Sequence, residues 1–171
     1  MNLRRRRVMQ ASAGGALLGM MGCAPAASAD SPLGISPAQW RQRLSAEAYA
    51  VLFEADTERP GSSPLNDEKR PGTFVCVACF QPLFDAEHKY ESGTGWPSFW
   101  QPISADAIGT QRDFLLLLPR TEYHCSHCGG HQGHVFEDGP EPTGLRYCNN
   151  GVALRFIPQG SPLPERVEAA T

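Results

Sequence analysis

The sequence predicts a mainly β protein, antiparallel in character, with a short helical flank on its N-terminal side. Three observations carry this expectation. From Thr73 onward the chain breaks into short β-prone runs separated by turn residues. In the last run Val152, Leu154 and Phe156 alternate with Ala153 and Arg155, the period of a half-buried strand. Two Cys-x-x-Cys pairs, Cys76/Cys79 and Cys125/Cys128, are separated by 45 residues, too many for a simple ribbon, so they belong to different parts of a sheet.

Of the 171 residues, the first 29 read as an export signal. Arg4 to Arg7 form a charged start, Ala11 to Met21 a weakly apolar run, and Ala27-Ser28-Ala29 a small-residue cleavage site. The run is too short to span a bilayer, which takes about 20 apolar residues. The arginines and glycines match a twin-arginine signal. Met20-Met21-Gly22-Cys23 also has the outline of a lipoprotein site, ranked second because methionine fits poorly three residues before the cysteine. Removing residues 1–29 takes away four arginines and no acid. That leaves 11 Lys+Arg against 18 Asp+Glu, a formal charge of −7 in place of −3. An acidic chain with no surviving basic run argues against nucleic acid as a partner. The expected location is periplasmic or secreted, with a lipid anchor at Cys23 as the alternative. The remaining 142 residues suit one domain, 30–160, followed by a flexible tail, 161–171.

Ser36-Pro37 reads as an N-cap followed by proline at the first helical position. Trp40 and Leu44 then share one helical face. A second helix starts at Ser45 and carries Tyr49, Val51, Leu52 and Phe53 into the core. Thr57 to Pro71 is rich in Pro, Gly, Ser, Asn and Asp and reads as a long ordered loop. The expected strands are Thr73–Val77, Asp113–Leu118, Thr121–His124, Gly133–Phe136 and Val152–Ile157. Gly129-Gly130, Asp138-Gly139-Pro140 and Pro142-Thr143-Gly144 supply turns.

Each Cys-x-x-Cys pair holds two sulfurs at a spacing that suits one tetrahedral ion. Two pairs complete a four-cysteine zinc site that staples the fold and keeps no open coordination position. In an oxidising compartment the same four could instead form two disulfides. Cys148 has no partner two residues away. Arg146 stands beside it, and a guanidinium favours the thiolate, the reactive form of sulfur. The plain alternative is a buried strand cysteine. His131 and His134 lie in a Gly-flanked loop and suit proton transfer near neutrality, or else buried hydrogen bonding. Trp96, braced by Gly95 and Pro97, either packs in the core or forms the wall of a small apolar pocket.

Taken together these segments resemble the type B methionine sulfoxide reductases, which act on the R epimer. The matching pieces are the two cysteine pairs, Ser92–Phe99, Gly130–Phe136, Asp138-Gly139-Pro140, and Arg146-Tyr147-Cys148-x-Asn150 with Leu154 and Phe156. The likeness runs from about Trp40 to Ile157. It implies two antiparallel sheets with N-terminal helices, a structural zinc on four cysteines remote from the active site, and thiol-dependent reduction of methionine-R-sulfoxide in oxidised proteins. By the resemblance Cys148 is the nucleophile, and His131, His134 and Asn150 surround the sulfoxide oxygen. Arg146 keeps Cys148 ionised, while Trp96 and Phe136 contact the substrate. Methionine leaves, and Cys148 becomes a sulfenic acid for another thiol to condense with.

Two positions depart from the family pattern. Thr94 stands where many members carry a resolving cysteine, so the sulfenic acid requires an external donor, thioredoxin-like or membrane-linked. A retained, unlipidated Cys23 is the one internal substitute. Phe80 replaces a glycine common after the first pair, which bears on the local turn. The expected protein is a monomer. Two other readings remain: a zinc-stapled module that binds methionine-rich or oxidised proteins without turnover, and a switch whose cysteine pairs cycle as disulfides.

Overall fold

In the computed structural model residues 31–113 and 120–169 are described, and they form two short helices and nine strands. Helix α1 (Pro37–Arg43) begins where Ser36 accepts from the Gln39 N–H and Gln39 reaches back to the Ser36 N–H, a reciprocal cap. Helix α2 (Ala46–Glu54) is capped by Ser45, and Ala55 ends it in the left-handed conformation. Trp40 stacks on Phe53 at 5.4 Å, so each helix buries its aromatic face against the other. Helix α2 then packs on strand β7 and on a 3-10 turn at Gly151–Ala153.

The strands are β1 (Gly72–Cys76), β2 (Pro82–Asp85), β3 (Lys89–Tyr90), β4 (Ser98–Phe99), β5 (Ile108–Asp113), β6 (Arg120–Cys125), β7 (His131–Phe136), β8 (Arg146–Asn149) and β9 (Leu154–Pro158). They make two antiparallel sheets, ordered β2-β1-β9 and β3-β4-β8-β7-β6-β5. Aromatic side chains fill the core. Phe84 stacks on Phe99 at 4.2 Å, and Phe74 meets both Phe99 and Phe156 at 5.0 Å. Phe74, Phe84, Phe99 and Tyr123 are fully buried, and such rings dominate core energetics.

Both helices stand where the sequence puts them, and the loop 57–71 gains only a short 3-10 turn, Pro64–Asp67. Several strands need correction. The first ends at Cys76 because Val77 already turns, its N–H bonding Ala153 O. Of the expected Asp113–Leu118 strand, Asp113 closes β5, and residues 114–119 lie outside the described set. The polar Gly109-Thr110-Gln111-Arg112 run hides β5 from a sequence reading, since it has no apolar face. Val152 and Ala153 belong to the 3-10 turn, and only Leu154 onward is strand. Strands β2, β3, β4 and β8 fall outside the expected set. β3 and β4 have two residues each, too few to show a period. Beyond Gly160 the chain forms no helix or strand among the described residues. Even so, Val167 donates its N–H to Cys79 O and its carbonyl meets His127 Nε2 at 2.9 Å.

Phe80 adopts φ 62°, the left-handed region where glycine costs least. The turn keeps the glycine geometry, and phenylalanine bears the strain, roughly 1 kcal/mol.

Candidate active site

Cys148 lies in β8, an inner strand of the large sheet, between Ser98 of β4 and His134 of β7. Directly opposed residues of neighbouring strands project on the same face, so register alone brings the imidazole beside the thiol. The approach is close: a Cβ at Gly133 would overlap the Cys148 carbonyl, so only glycine fits at that point of β7. A pocket of about 110 Å³ opens over Cys148. Trp96, Phe136 and Gly133 supply its apolar walls, and Thr57, Arg120, His134, Asn149 and Asn150 its polar ones.

His131 and His134 sit three apart, a spacing that puts strand side chains on opposite faces. A register irregularity between Tyr123 and His124 adds one residue to β7 and returns both rings to one side, 5.4 Å apart. Each ring has its own carboxylate. His131 Nδ1 lies 2.7 Å from Glu122, and His134 Nε2 lies 2.8 Å from Asp113, which also binds Arg120 at 2.7 Å. Burial holds the His134 imidazole below its ordinary value against the lift from Asp113, and Arg120 and His131 lower it further. It is therefore a neutral base at pH 7. Glu122 is held low, first by its hydrogen bond from His131.

The thiol itself goes the other way. Burial pushes Cys148 up, and this outweighs the lowering by Thr94 and Arg146. Arg146 is committed to Asp138 through two bonds of 2.8 and 2.7 Å and stacks over Phe136 at 4.3 Å. Its charge and a hydrogen bond still lower Cys148, against the lift from burial. Thr94 Oγ1 stands 4.0 Å from Cys148 Sγ, at the end of a hydroxyl chain through Ser92 to Ser98.

The pocket gathers Trp96, Phe136, His134, Asn150 and Cys148. His131 and Arg146 are not among the residues that line it. Asn150 borders it, with both amide groups spent on backbone: Oδ1 accepts from Glu58 N–H, and Nδ2 donates to Gln132 O. Asp113, Arg120 and Glu122 escaped the sequence reading because only strand pairing brings them to the histidines and the pocket. Thr57 arrives from the loop after α2, and Asn149 follows Cys148 in the chain without a motif that marks it.

At the far side of β7 the four remaining cysteines of the described chain converge, all buried and unbridged. Their sulfurs lie within 4.8 Å of one another, with Cys76–Cys128 at 3.7 Å and Cys79–Cys125 at 3.5 Å. Sulfurs at about 2.3 Å around a tetrahedral ion stand about 3.8 Å apart, so the four fit one metal. Hydrogen bonds from Cys128, Cys76 and Cys79 hold the Cys125 thiol far down, while Cys76 and Cys128 are pushed up. Several thiolates cannot coexist here without a cation. Gln132, fully buried, donates to Cys76 Sγ at 3.5 Å, an outer contact that nothing in the sequence announced.

Fold and site together define a class: a two-sheet β protein with four clustered thiols behind one strand and a single pocket thiol in front of it. Residues 44–158 match the family model described as the SelR domain, about two thirds of the chain, and the protein belongs to that family. It is 50% identical over 127 residues to "Peptide methionine sulfoxide reductase MsrB" of Thioalkalivibrio sulfidiphilus, covering 74% of this chain and 93% of the relative. The protein of the same name from Hahella chejuensis is 50% identical over 121 residues, 71% and 87% of the two chains. That from Saccharophagus degradans is 48% identical over 122 residues, 71% and 91%.

Proposed function

We propose that this protein reduces the R epimer of methionine sulfoxide in oxidised proteins to methionine, with Cys148 as nucleophile. The observation that carries the mechanism is the cross-strand pairing of Cys148 with a neutral, carboxylate-backed His134 inside a pocket walled by Trp96 and Phe136. A thiol raised by burial needs a base, and a sulfoxide oxygen needs a proton before it can leave sulfur. His134 answers both needs: it takes the Cys148 proton and returns it to the oxygen.

The Cys148 sulfur bonds the sulfoxide sulfur as the protonated oxygen leaves it. That oxygen, as hydroxide, then attacks Cys148 Sγ, breaking the new S–S bond so that methionine departs and Cys148 remains as a sulfenic acid. The transfer is balanced, since the thiol supplies two electrons and one proton. One external thiol then forms a mixed disulfide with release of water, and a second regenerates Cys148. Thr94 cannot serve as the resolving thiol, which supports a separate donor, thioredoxin-like or membrane-linked. The arginine-rich start and Ala27-Ser28-Ala29 support export to the periplasm or beyond.

Zinc is the metal the four-cysteine site suits best. Held by Cys76, Cys79, Cys125 and Cys128, it would pin the β1–β2 turn to the β6–β7 turn and take no part in the chemistry.

The test follows both sulfoxide epimers of a methionine peptide by chromatography, with the purified chain and excess dithiol. Loss of the R epimer alone, abolished by Cys148→Ser, is the expected result. Persistence of both epimers with metal bound would defeat the reading in favour of a binding module.

A further inference from the structure

One residue of the long loop makes contact with two walls of the pocket without lining it. The Glu58 carbonyl accepts the Trp96 indole N–H at 3.2 Å, and the Glu58 N–H donates to Asn150 Oδ1 at 3.1 Å. A single residue's backbone therefore orients both Trp96 and Asn150. Its side chain turns the opposite way, into a neighbouring groove of about 670 Å³ that it shares with Gly151 and Val152. There one carboxylate oxygen accepts from Gly151 N–H at 2.5 Å and the other from Val152 N–H at 2.9 Å.

Those two amides open the 3-10 turn Gly151–Ala153, and the first N–H groups of such a turn need an outside acceptor. The residue placed to cap it is Asn150, whose side chain makes no capping bond, because its Oδ1 is taken by Glu58 N–H. Glu58 thus exchanges roles with Asn150: it caps the turn from 93 residues away, while its own N–H holds the asparagine side chain in the pocket wall. The same clamp explains why the strand expected from Val152 starts only at Leu154. Burial raises the Glu58 carboxyl against the two amide bonds that lower it. Both oxygens are used, which a carboxamide cannot match, since its nitrogen does not accept.

We infer that Glu58 is a positioning residue of the substrate pocket, its carboxylate anchoring the backbone whose two flanking peptide units hold Trp96 and Asn150 in the pocket wall against the methionine sulfoxide. The inference rests on the pocket reading above, in which Trp96 walls the substrate.

The experiment uses the full chain with a peptide methionine-R-sulfoxide and dithiothreitol, comparing wild type, Glu58→Gln, Trp96→Phe and the double variant. Glu58→Gln is expected to raise KM about tenfold with a smaller change in kcat, the mark of lost substrate positioning. The chain has three tryptophans, so the Trp96 indole N–H resonance is assigned by its disappearance in Trp96→Phe and should shift in Glu58→Gln. In the Trp96→Phe background, Glu58→Gln should add less than about twofold, because both changes remove one interaction. A Glu58→Gln protein with lowered melting temperature but wild-type KM and an unmoved indole resonance would overturn the inference, leaving Glu58 a purely structural clamp. A wild-type KM for Trp96→Phe would instead overturn the pocket reading itself.

Discussion

Five thiols of the described chain occupy two environments, and strand β7 stands between them. On one side Gln132 reaches to Cys76, within a cluster whose sulfurs crowd to 3.5–3.7 Å. On the other, His134 faces Cys148, which meets the Thr94 hydroxyl at 4.0 Å. The clustered thiols are buried and hold one another, which suits a metal and excludes chemistry on substrates. Cys148 is half-buried, paired with a base and open to a pocket. Residue type is identical in the two sites. The difference lies in what stands beside each sulfur, and reactivity follows from that.

The sharpest way to break the comparison is to exchange the fates of the two sites. Cys148→Ser should abolish sulfoxide reduction, by at least about a thousandfold, while leaving metal content and unfolding unchanged within about 1 kcal/mol. Cys125→Ser should do the reverse. Metal content falls below one ion per chain and the melting temperature drops steeply, because metal-binding energy in such sites is folding energy. Activity that survived Cys148→Ser, or full stability after Cys125→Ser, would erase the distinction.

Next in size is the carboxylate behind the base. Asp113→Asn should lower kcat about 10²-fold and distort the pH–rate profile, since Asp113 lifts the His134 pKa toward neutrality. His134 also sets a stability window. Its folded pKa is depressed by burial, so its contribution is complete above the unfolded value of about 6.5. That contribution is lost as pH falls through the lower folded value. Acid denaturation midpoints of wild type and His134→Asn should differ accordingly, the wild type losing stability more steeply below a pH of about 6.5.

A smaller effect sharpens the contrast in thiol state. Burial raises Cys148, so its alkylation by iodoacetamide at pH 7 should be slower than that of a free cysteine and accelerate with rising pH. Rapid alkylation at pH 7 would show that Arg146 prevails over burial. The smallest expected change is Phe80→Gly, which should stabilise the domain by up to about 1 kcal/mol by relieving the left-handed backbone. An unchanged or lower melting temperature would mean that the Phe80 ring, with the Arg155 guanidinium 5.8 Å over it, contributes more than the strain costs.

Much of this was legible because it is local. The serine caps of α1 and α2 act within three residues, and the Cys-x-x-Cys spacing sets two sulfurs for one ion within a single turn. The flank and the metal ligands therefore follow from the chain directly. Cys148 stood out by having no partner in sequence, and the motif around it carried the family likeness.

What sequence spacing could not supply is everything that depends on register. His131 and His134, three apart, share a face only through a bulge, and Asp113 on β5 reaches His134 on β7 across the one strand between them, β6. Arg146 lowers the Cys148 thiol as its place in sequence suggests, yet only the structure shows that Asp138 holds its guanidinium. Glu58 sits in a loop with no motif, 92 residues from the asparagine it holds. The sequence by itself determined the short-range chemistry, where a few covalent bonds limit the outcome. Only the tertiary structure decided which carboxylate, which wall and which clamp meet at Cys148, because long-range pairing is set by the packing of two sheets around a common aromatic core.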